Sequence, residues 1–376
     1  MTAQPDSRLA ILRQTSQAML DARDEAALRR QPRPELSPLL WHVGHVFFVE
    51  NYWLAERVFG DTSVTDRWRR LYFPEACDKQ ARSARLPGPD SMRRWTAEIA
   101  AINDRYWAHA TPEHHDLLRN GYLHAFICQH YAQHIETMRM AAAQLDLASD
   151  DGAAALDVAE PVCNRRVSVP SRRVRLGTDS IDAYDNEKPT HERDVERFDI
   201  AGAPVSNAEW LGFMNAGGYD RHEFWDDDGW RWRCRHGIEH PQHWRPAENG
   251  WRIAWRGDPA TLAEAPVHGI GWYEARAFAR YAQARLPTEH EWEAAVRADK
   301  IAAAGQVWEW CDNAFKPYPG FTAFPYDGYS KPWFDGHHYV ARGSSRHTEP
   351  EIKRAGFRNF YPPTHRHVFA GLRLAW

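Results

Sequence analysis

Apolar residues recur every three or four positions through most of the first 147 residues, which places them on one face of a helix. The pattern predicts helices over residues 6–30, from Ser37-Pro38 to Gly60 with Ser37 as N-cap, from Pro89 to about Ala110, and from Thr111 to about Leu147 with an interruption near Gly121. Residues 61–88 contain prolines and are predicted to form a loop. Four amphipathic helices in one segment are typical of a four-helix bundle.

The pattern changes after residues 149–155, which we predict to be a linker. Short apolar runs then predict strands at Val167–Leu176 and Asp199–Val205, and helical periodicity predicts helices that begin at Ser206, run from Trp272 to Arg285, and begin after a cap at Thr288. Most of the 18 tryptophans lie in this second half, amid little periodicity. We therefore expect an α+β chain with a helical domain over residues 1–150 and a second domain over 160–376.

Composition excludes several classes of protein. Hydrophobic residues make up 43% of the chain, enough for a core, and a net charge of −4 gives no general attraction to nucleic acid. No apolar run approaches 18 residues and the N-terminus has no signal-like segment, so no membrane association is expected. The five cysteines are odd in number and widely spaced, which argues against a disulfide framework and favours reduced thiols in the cytoplasm.

Three histidines form a candidate metal site. His130 and His134 stand four residues apart on the fourth predicted helix, so both project from one face, and His45 lies in the second predicted helix. Three imidazoles without a thiolate suit iron, zinc or copper, and the spacing does not choose among them. His42 and His124 are alternative candidates for the same ligand positions. Residue 131 is Tyr, so the HExxH motif of metallopeptidases is absent.

The motifs along the chain resemble those of the ergothioneine-type sulfoxide synthases. In the second half these are Pro204-Val-Ser-Asn-Ala-Glu-Trp210, Pro266-Val-His-Gly-Ile-Gly-Trp-Tyr-Glu-Ala275, Arg285-Leu-Pro-Thr-Glu-His-Glu-Trp-Glu-Ala294, Val307-Trp-Glu-Trp310, Arg342-Gly-Ser-Ser345, Phe357-Arg-Asn-Phe360 and Phe369-Ala-Gly-Leu-Arg-Leu-Ala375. The resemblance implies a DinB-like four-helix bundle followed by a C-type-lectin-like domain of the formylglycine-generating-enzyme (sulfatase-modifying-factor) type. It also implies Fe(II)- and O2-dependent joining of a sulfur donor to hercynine. Relatives include selenoneine synthases, which use a selenosugar.

The resemblance assigns roles to individual residues. It implies that His45, His130 and His134 bind iron, that Tyr326 or Tyr329 is the catalytic tyrosine, and that the substrates lie between the two domains. It places substrate binding on Phe360, Tyr361, His365, Arg366, Arg82 and Arg85. Phe360-Tyr361 replaces the Trp-Asp pair of mycobacterial-type members, which leaves the donor open between a cysteine-type thiol and a selenosugar. Many members carry Glu where this chain has Tyr131.

Two other functions are compatible with the same residues. DinB-like bundles with three histidines also serve zinc-dependent thiol S-transfer, and lectin-like domains often bind without catalysis. Formylglycine generation is disfavoured, because Cys234 and Cys311 do not form a suitable copper-binding pair.

The roles of several acidic residues also have alternatives. Glu136 is either an acceptor for a ligand N–H or a solvated side chain, and we favour the solvated side chain. Asp226, Asp227 and Asp228 either bind calcium or form a solvated loop, and the oligomeric state stays open.

Overall fold

Helices build most of the first structural unit. Their bounds, in chain order, are α1 Ser7–Ala18, α2 Glu25–Arg29, α3 Leu39–Asn51, α4 Arg57–Phe59, α5 Thr65–Tyr72, α6 Lys79–Arg85, α7 Pro89–Trp107 and α8 Tyr122–Asp146. A π-helical turn, Tyr52–Glu56, joins α3 to α4. α3 packs against α1, α7 and α8, and α1 also packs against α8. These four form the predicted bundle, and every residue of α3 is buried.

This computed structural model describes residues 7–147, 153–163, 165–254, 258–301 and 304–376. The first unit comprises Met1–Ala148 with two short later segments, Ser180–Asp182 and Thr348–Ile352, and the rest of the chain forms the second unit. The five cysteines are all free. In the part of the chain described here, no helix is both long and apolar enough to cross a bilayer.

Several predictions for the first unit are wrong in detail. Residues 6–30 form two helices, because the Asp24 side chain accepts a hydrogen bond from the Ala27 N–H at 2.7 Å and so starts α2 afresh. The prediction of a loop at 61–88 is wrong, because this segment contains the short helices α5 and α6. Pro38, not Ser37, is the N-cap of α3. The predicted interruption is confirmed, since Asn120 and Gly121 have φ of 53° and 74°.

The second unit consists of small sheets and short helices. Its strands are β1 Ala153–Leu156, β2 Arg166–Val169, β3 Arg172–Leu176, β4 His191–Val195, β5 Phe198–Ala201, β6 Trp244–Pro246, β7 Trp251–Ala254, β8 Trp308–Ala314, β9 Tyr339–Arg342, β10 Asn359–Tyr361 and β11 Ala370–Gly371. They pair in the orders β1-β7-β6, β10-β9-β8-β11, β2-β5 and β3-β4. The β8–β11 pair is parallel and the others are antiparallel. Its helices are α9 Asn207–Asn215, α10 Asp227–His236, α11 Trp272–Tyr281 and α12 Glu289–Arg297.

Predictions for the second unit were right about element type and less accurate about ends. Thr288 caps α12 as predicted, and Ser206, predicted to begin a helix, is the N-cap of α9. The strand predicted at Val167–Leu176 is two strands separated at Pro170, which has no N–H to donate. The helix predicted to Arg285 ends at Tyr281, close to Gln283 with φ of 51°.

Two predicted loops in this unit also have regular structure. Of the predicted linker, residues 153–155 belong to β1, and residues 149–152 lie outside the described residues. The run Asp226–Asp228 begins α10, in which the Asp226 side chain accepts a hydrogen bond from the Gly229 N–H at 2.7 Å. Asp226 also pairs with Arg276 at 3.0 Å. The solvated-loop alternative is therefore right about solvent exposure for Asp227 and Asp228, and wrong about a loop, because these residues begin a helix.

Buried ion pairs connect the motifs of the second unit. Arg358 pairs with Glu289 at 2.7 Å, Arg342 with Glu293 at 2.6 Å, and Arg373 with Glu309 at 2.7 Å. All six side chains are almost fully buried. A buried charge is tolerated only when it is paired and hydrogen-bonded, so each acidic motif requires its basic counterpart. These residues of the motifs therefore hold the fold together.

Candidate metal centre

The three predicted ligands converge within the first unit. His45 lies on α3, and His130 and His134 lie one turn apart on α8. One ligand nitrogen from each ring lies within 4.8 Å of the other two. The ring centroids are 4.5 Å apart for His130 and His134, and 5.1 Å and 4.6 Å from His45 to these two. Such a cluster can present three nitrogens to one ion.

His45 is oriented by its neighbours. Its Nδ1 lies 2.8 Å from the backbone carbonyl of Tyr72. Because a carbonyl only accepts, Nδ1 carries the proton and Nε2 offers its lone pair to an ion. The ring also stacks on Trp41, with centroids 4.4 Å apart and planes 16° apart. Tyr72 can approach because residue 44 is Gly, where a Cβ would lie 2.2 Å from the Tyr72 hydroxyl oxygen.

A fourth histidine contacts the cluster. The Nδ1 of His42 lies 2.9 Å from the Nδ1 of His134, so one of these nitrogens donates to the other. His42 is therefore a neighbour of a ligand. The Nε2 of His42 and the Nδ1 of His130 are buried and have no hydrogen-bond partner among the described residues. His124, the other competitor, contacts Cys128 and Trp107 instead.

Burial keeps these imidazoles neutral. It lowers the pKa of His130 to about 4 and the pKa of His42 to about 3, and nearby Arg82 adds to the effect on His42. The pKa values of His45 and His134 also fall well below the usual value, first through burial and then through the adjacent His130. A neutral imidazole is the form that binds a metal. Three such nitrogens without a thiolate fit a divalent ion such as iron or zinc.

The predicted donor-binding arginines lie on α6. Arg82 is 2% exposed, and its guanidinium lies 3.8 Å above the ring of Trp41, the residue that stacks on His45. It donates to the carbonyls of Cys77 and Pro74 at 3.1 and 3.0 Å and to the Ser37 hydroxyl. Arg85 lies 3.8 Å from the sulfur of Cys77. Donor binding by either arginine stays a prediction.

Both candidate tyrosines lie on the segment between β8 and β9. Tyr326 is 44% exposed. Tyr329 is half-buried and stacks on Tyr184, with ring centroids 4.2 Å apart. Exposure and packing do not decide which phenol is catalytic, so the role stays a prediction for both.

The predicted ammonium-binding aromatics lie side by side on β10. Phe360 stacks on Phe315 with centroids 4.0 Å apart, whereas the Tyr361 hydroxyl accepts a hydrogen bond from Asn359 at 3.1 Å. Consecutive residues of a strand point to opposite faces. Ammonium binding by Phe360 and Tyr361 stays a prediction. Tyr361 lies near another predicted substrate-binding residue, since its ring centroid is 6.2 Å from that of His365.

Arg366, a predicted substrate-binding residue, and Glu136, a predicted neighbour of the ligands, both have hydrogen-bond partners in the protein. Arg366 donates through Nε to the buried Glu274 at 2.8 Å, so its charge is already balanced. Glu136 accepts a hydrogen bond from Thr348 at 2.8 Å and is buried, so the solvated side chain that we favoured is wrong.

Sequence reasoning missed the residues that orient the ligands. Gly44 lies inside the histidine motif, and a glycine in the middle of a helix indicates a close approach, so this signal was available. The carbonyl of Tyr72 gave no signal, because any residue supplies a carbonyl and the segment was predicted to be a loop.

Comparison with known proteins identifies both parts of the chain. Residues 8–138 match the DinB superfamily, and residues 156–303 and 299–376 match the sulfatase-modifying factor enzyme 1-like domain. Hercynine oxygenase of Mycolicibacterium thermoresistibile is 32% identical, over 94% of this chain and 90% of that protein. Hercynine oxygenase of Mycolicibacterium smegmatis is 31% identical, over 98% and 97%.

A more distant relative is ergothioneine biosynthesis protein 1 of Schizosaccharomyces pombe, which is 26% identical over 51% of this chain and 27% of its own length. The domain matches confirm the predicted α+β fold class, a DinB-like helical domain followed by a domain of the sulfatase-modifying-factor type. The chain belongs to the hercynine oxygenase family.

Proposed function

We propose that this protein is a non-haem iron(II) enzyme that uses O2 to join a sulfur or selenium donor to hercynine. The observation that carries the proposal is the convergence of His45, His130 and His134 in a chain that resembles hercynine oxygenases along nearly its whole length. Three protein ligands leave coordination positions open. Iron(II) held there would supply the redox chemistry with O2 that zinc does not supply.

The residues of the chain hold and orient the reactants. The Tyr72 carbonyl and the Trp41 ring fix the tautomer and the plane of His45, and the hydrogen bond to His42 orients the ring of His134. Tyr326 or Tyr329 supplies a proton during coupling. Tyr361 contacts the trimethylammonium group of hercynine, and such a cation–π contact is worth about 0.5–2 kcal/mol.

The donor is either a cysteine-type thiol or a selenosugar. Phe360-Tyr361 offers no carboxylate in place of the Trp-Asp pair of mycobacterial-type members, so the polar contacts to the donor differ in this chain. We expect this difference to appear as a donor preference unlike that of those relatives.

A reconstitution experiment tests the proposal. The apoprotein is loaded anaerobically with Fe(II), mixed with hercynine and with cysteine, γ-glutamylcysteine and a selenosugar in competition, and then exposed to O2. Mass spectrometry should detect a coupled product that requires both iron and O2 and is lost in His45→Ala. Absence of any coupled product would overturn the proposal. Thiol transfer that needs zinc and not O2 would support a DinB-type S-transferase instead.

A further inference from the structure

A hydrogen bond between α8 and α3 lies beside the candidate ligands. Tyr131, the residue after His130, is fully buried, and its hydroxyl donates to Oε2 of Glu50 at 2.9 Å. Glu50 lies on α3, as does His45. The bond therefore joins the two helices that carry the candidate ligands.

The same carboxylate binds donors from the other two bundle helices. Arg13 of α1 donates through Nε to Oε2 of Glu50 at 3.0 Å and through a second guanidinium nitrogen to Oε1. The indole nitrogen of Trp107, on α7, donates to Oε1 at 3.0 Å. Glu50 is 0% exposed, so protein groups replace the water that a carboxylate would otherwise bind. One side chain of α3 is thus bonded to α1, α7 and α8.

Such a network restricts how the helices can slide. Apolar side chains pack in several nearly equivalent ways, whereas hydrogen bonds to a buried charge have narrow limits of length and angle and are costly to break. A metal site needs its ligands placed within about 0.5 Å of the required geometry. The bond from Tyr131 to Glu50 acts on the same two helices whose separation determines the distance from His45 to His130 and His134.

We propose that Glu50 is a positioning residue for the metal centre, which sets the placement of His45 relative to His130 and His134 through its bond to Tyr131. The inference rests on the metal-binding part of the proposed function and not on the reaction.

Cobalt(II) binding by the full-length apoprotein tests the inference. Tyr131→Phe removes one hydroxyl and keeps the ring, and Glu50→Gln removes the charge. Tyr106→Phe is the matched control, because Tyr106 also donates to a carboxylate, that of Asp61, in the same unit. We expect Tyr131→Phe and Glu50→Gln to weaken cobalt binding about tenfold and to change the visible cobalt spectrum. Tyr106→Phe should bind cobalt as the unmodified protein does.

Thermal unfolding of the same variants separates positioning from general stability. Unchanged cobalt affinity and spectrum in Tyr131→Phe, with a loss of melting temperature like that of Tyr106→Phe, would overturn the inference. Tyr131→Phe keeps the Arg13–Glu50 pair, so it decides the outcome if Glu50→Gln does not fold. If the unmodified protein binds no cobalt, the metal site of the proposed function is overturned. If it binds cobalt and the variants bind equally well, only the positioning role of Glu50 is overturned.

Discussion

At the scale of single residues, the candidate metal centre is defined by the side chains that orient the three histidines as much as by the histidines themselves. The i and i+4 spacing of His130 and His134 predicted two candidate ligands on one helix face, His45 was the third candidate on another helix, and the family resemblance implied iron binding by all three. The contacts of His42 and of the Tyr72 carbonyl could not be predicted, since they join segments that are distant in the sequence. Residue spacing along a helix predicts which side chains lie on the same side of it, but not which residues of other segments contact them.

His42→Phe should weaken metal binding while leaving all three ligands in place. The substitution removes the nitrogen that bonds to Nδ1 of His134, so the ring of His134 loses its fixed orientation. We expect metal affinity to fall about 10- to 100-fold, measured by competition with a chromophoric chelator. His124→Phe, on the same helix as His134 but in contact with Cys128, is the control. Equal affinities for the two variants would contradict the assignment.

At the scale of elements, local features of the second unit could be predicted from its sequence motifs, whereas contacts between distant motifs could not. The cap at Thr288 and the helix that follows it were predictable, because a capping box is a local signal. The pairs Glu289–Arg358 and Glu309–Arg373 were not predictable, because each joins two motifs far apart in the chain. Short strands such as β10 and β11 have too few residues for a period to be seen. Their pairing is set by tertiary packing.

Glu289→Gln should destabilise the second unit in a pH-dependent way. Burial alone would raise the pKa of Glu289, but attraction to Arg358 and Arg342 outweighs it and lowers the pKa to about 2 from a usual 4.5. The stabilisation from this carboxylate is therefore fully present above about pH 4.5 and is lost as the pH falls towards 2. The variant leaves the buried Arg358 guanidinium without its carboxylate partner, which costs about 3–5 kcal/mol at pH 7.

Chemical denaturation at pH 7 and at pH 3 measures this effect, with tryptophan fluorescence as the signal. The difference in unfolding free energy between the original protein and Glu289→Gln should shrink at the lower pH. Glu192→Gln is the control, since its partner Arg173 and Glu192 itself are mostly exposed, and it should change stability little at either pH. If the difference in unfolding free energy does not change with pH, packing and not charge accounts for the lost stability.

At the scale of the whole molecule, a bound ion should stabilise the fold. The ligands come from two helices that separate on unfolding, so the ion binds the folded state in preference. Free metal at 100 times its dissociation constant should add about 2.7 kcal/mol to the free energy of unfolding. Thermal scans with cobalt(II) and with a chelator measure this shift, and His130→Ala should abolish it. A shift of the same size in His130→Ala would place the ion elsewhere.

The helical unit also includes residues from far along the chain. Thr348 bonds to Glu136, Glu349 pairs with Arg139 at 2.6 Å, and Glu351 lies 3.5 Å from Arg8, so the segment Thr348–Ile352 contacts both α1 and α8. A chain truncated after α8 would lose these contacts, because Thr348 lies 212 residues after Glu136. The helical unit therefore includes side chains that lie far outside its own helices in the sequence, and a fragment limited to residues 1–148 would lack them.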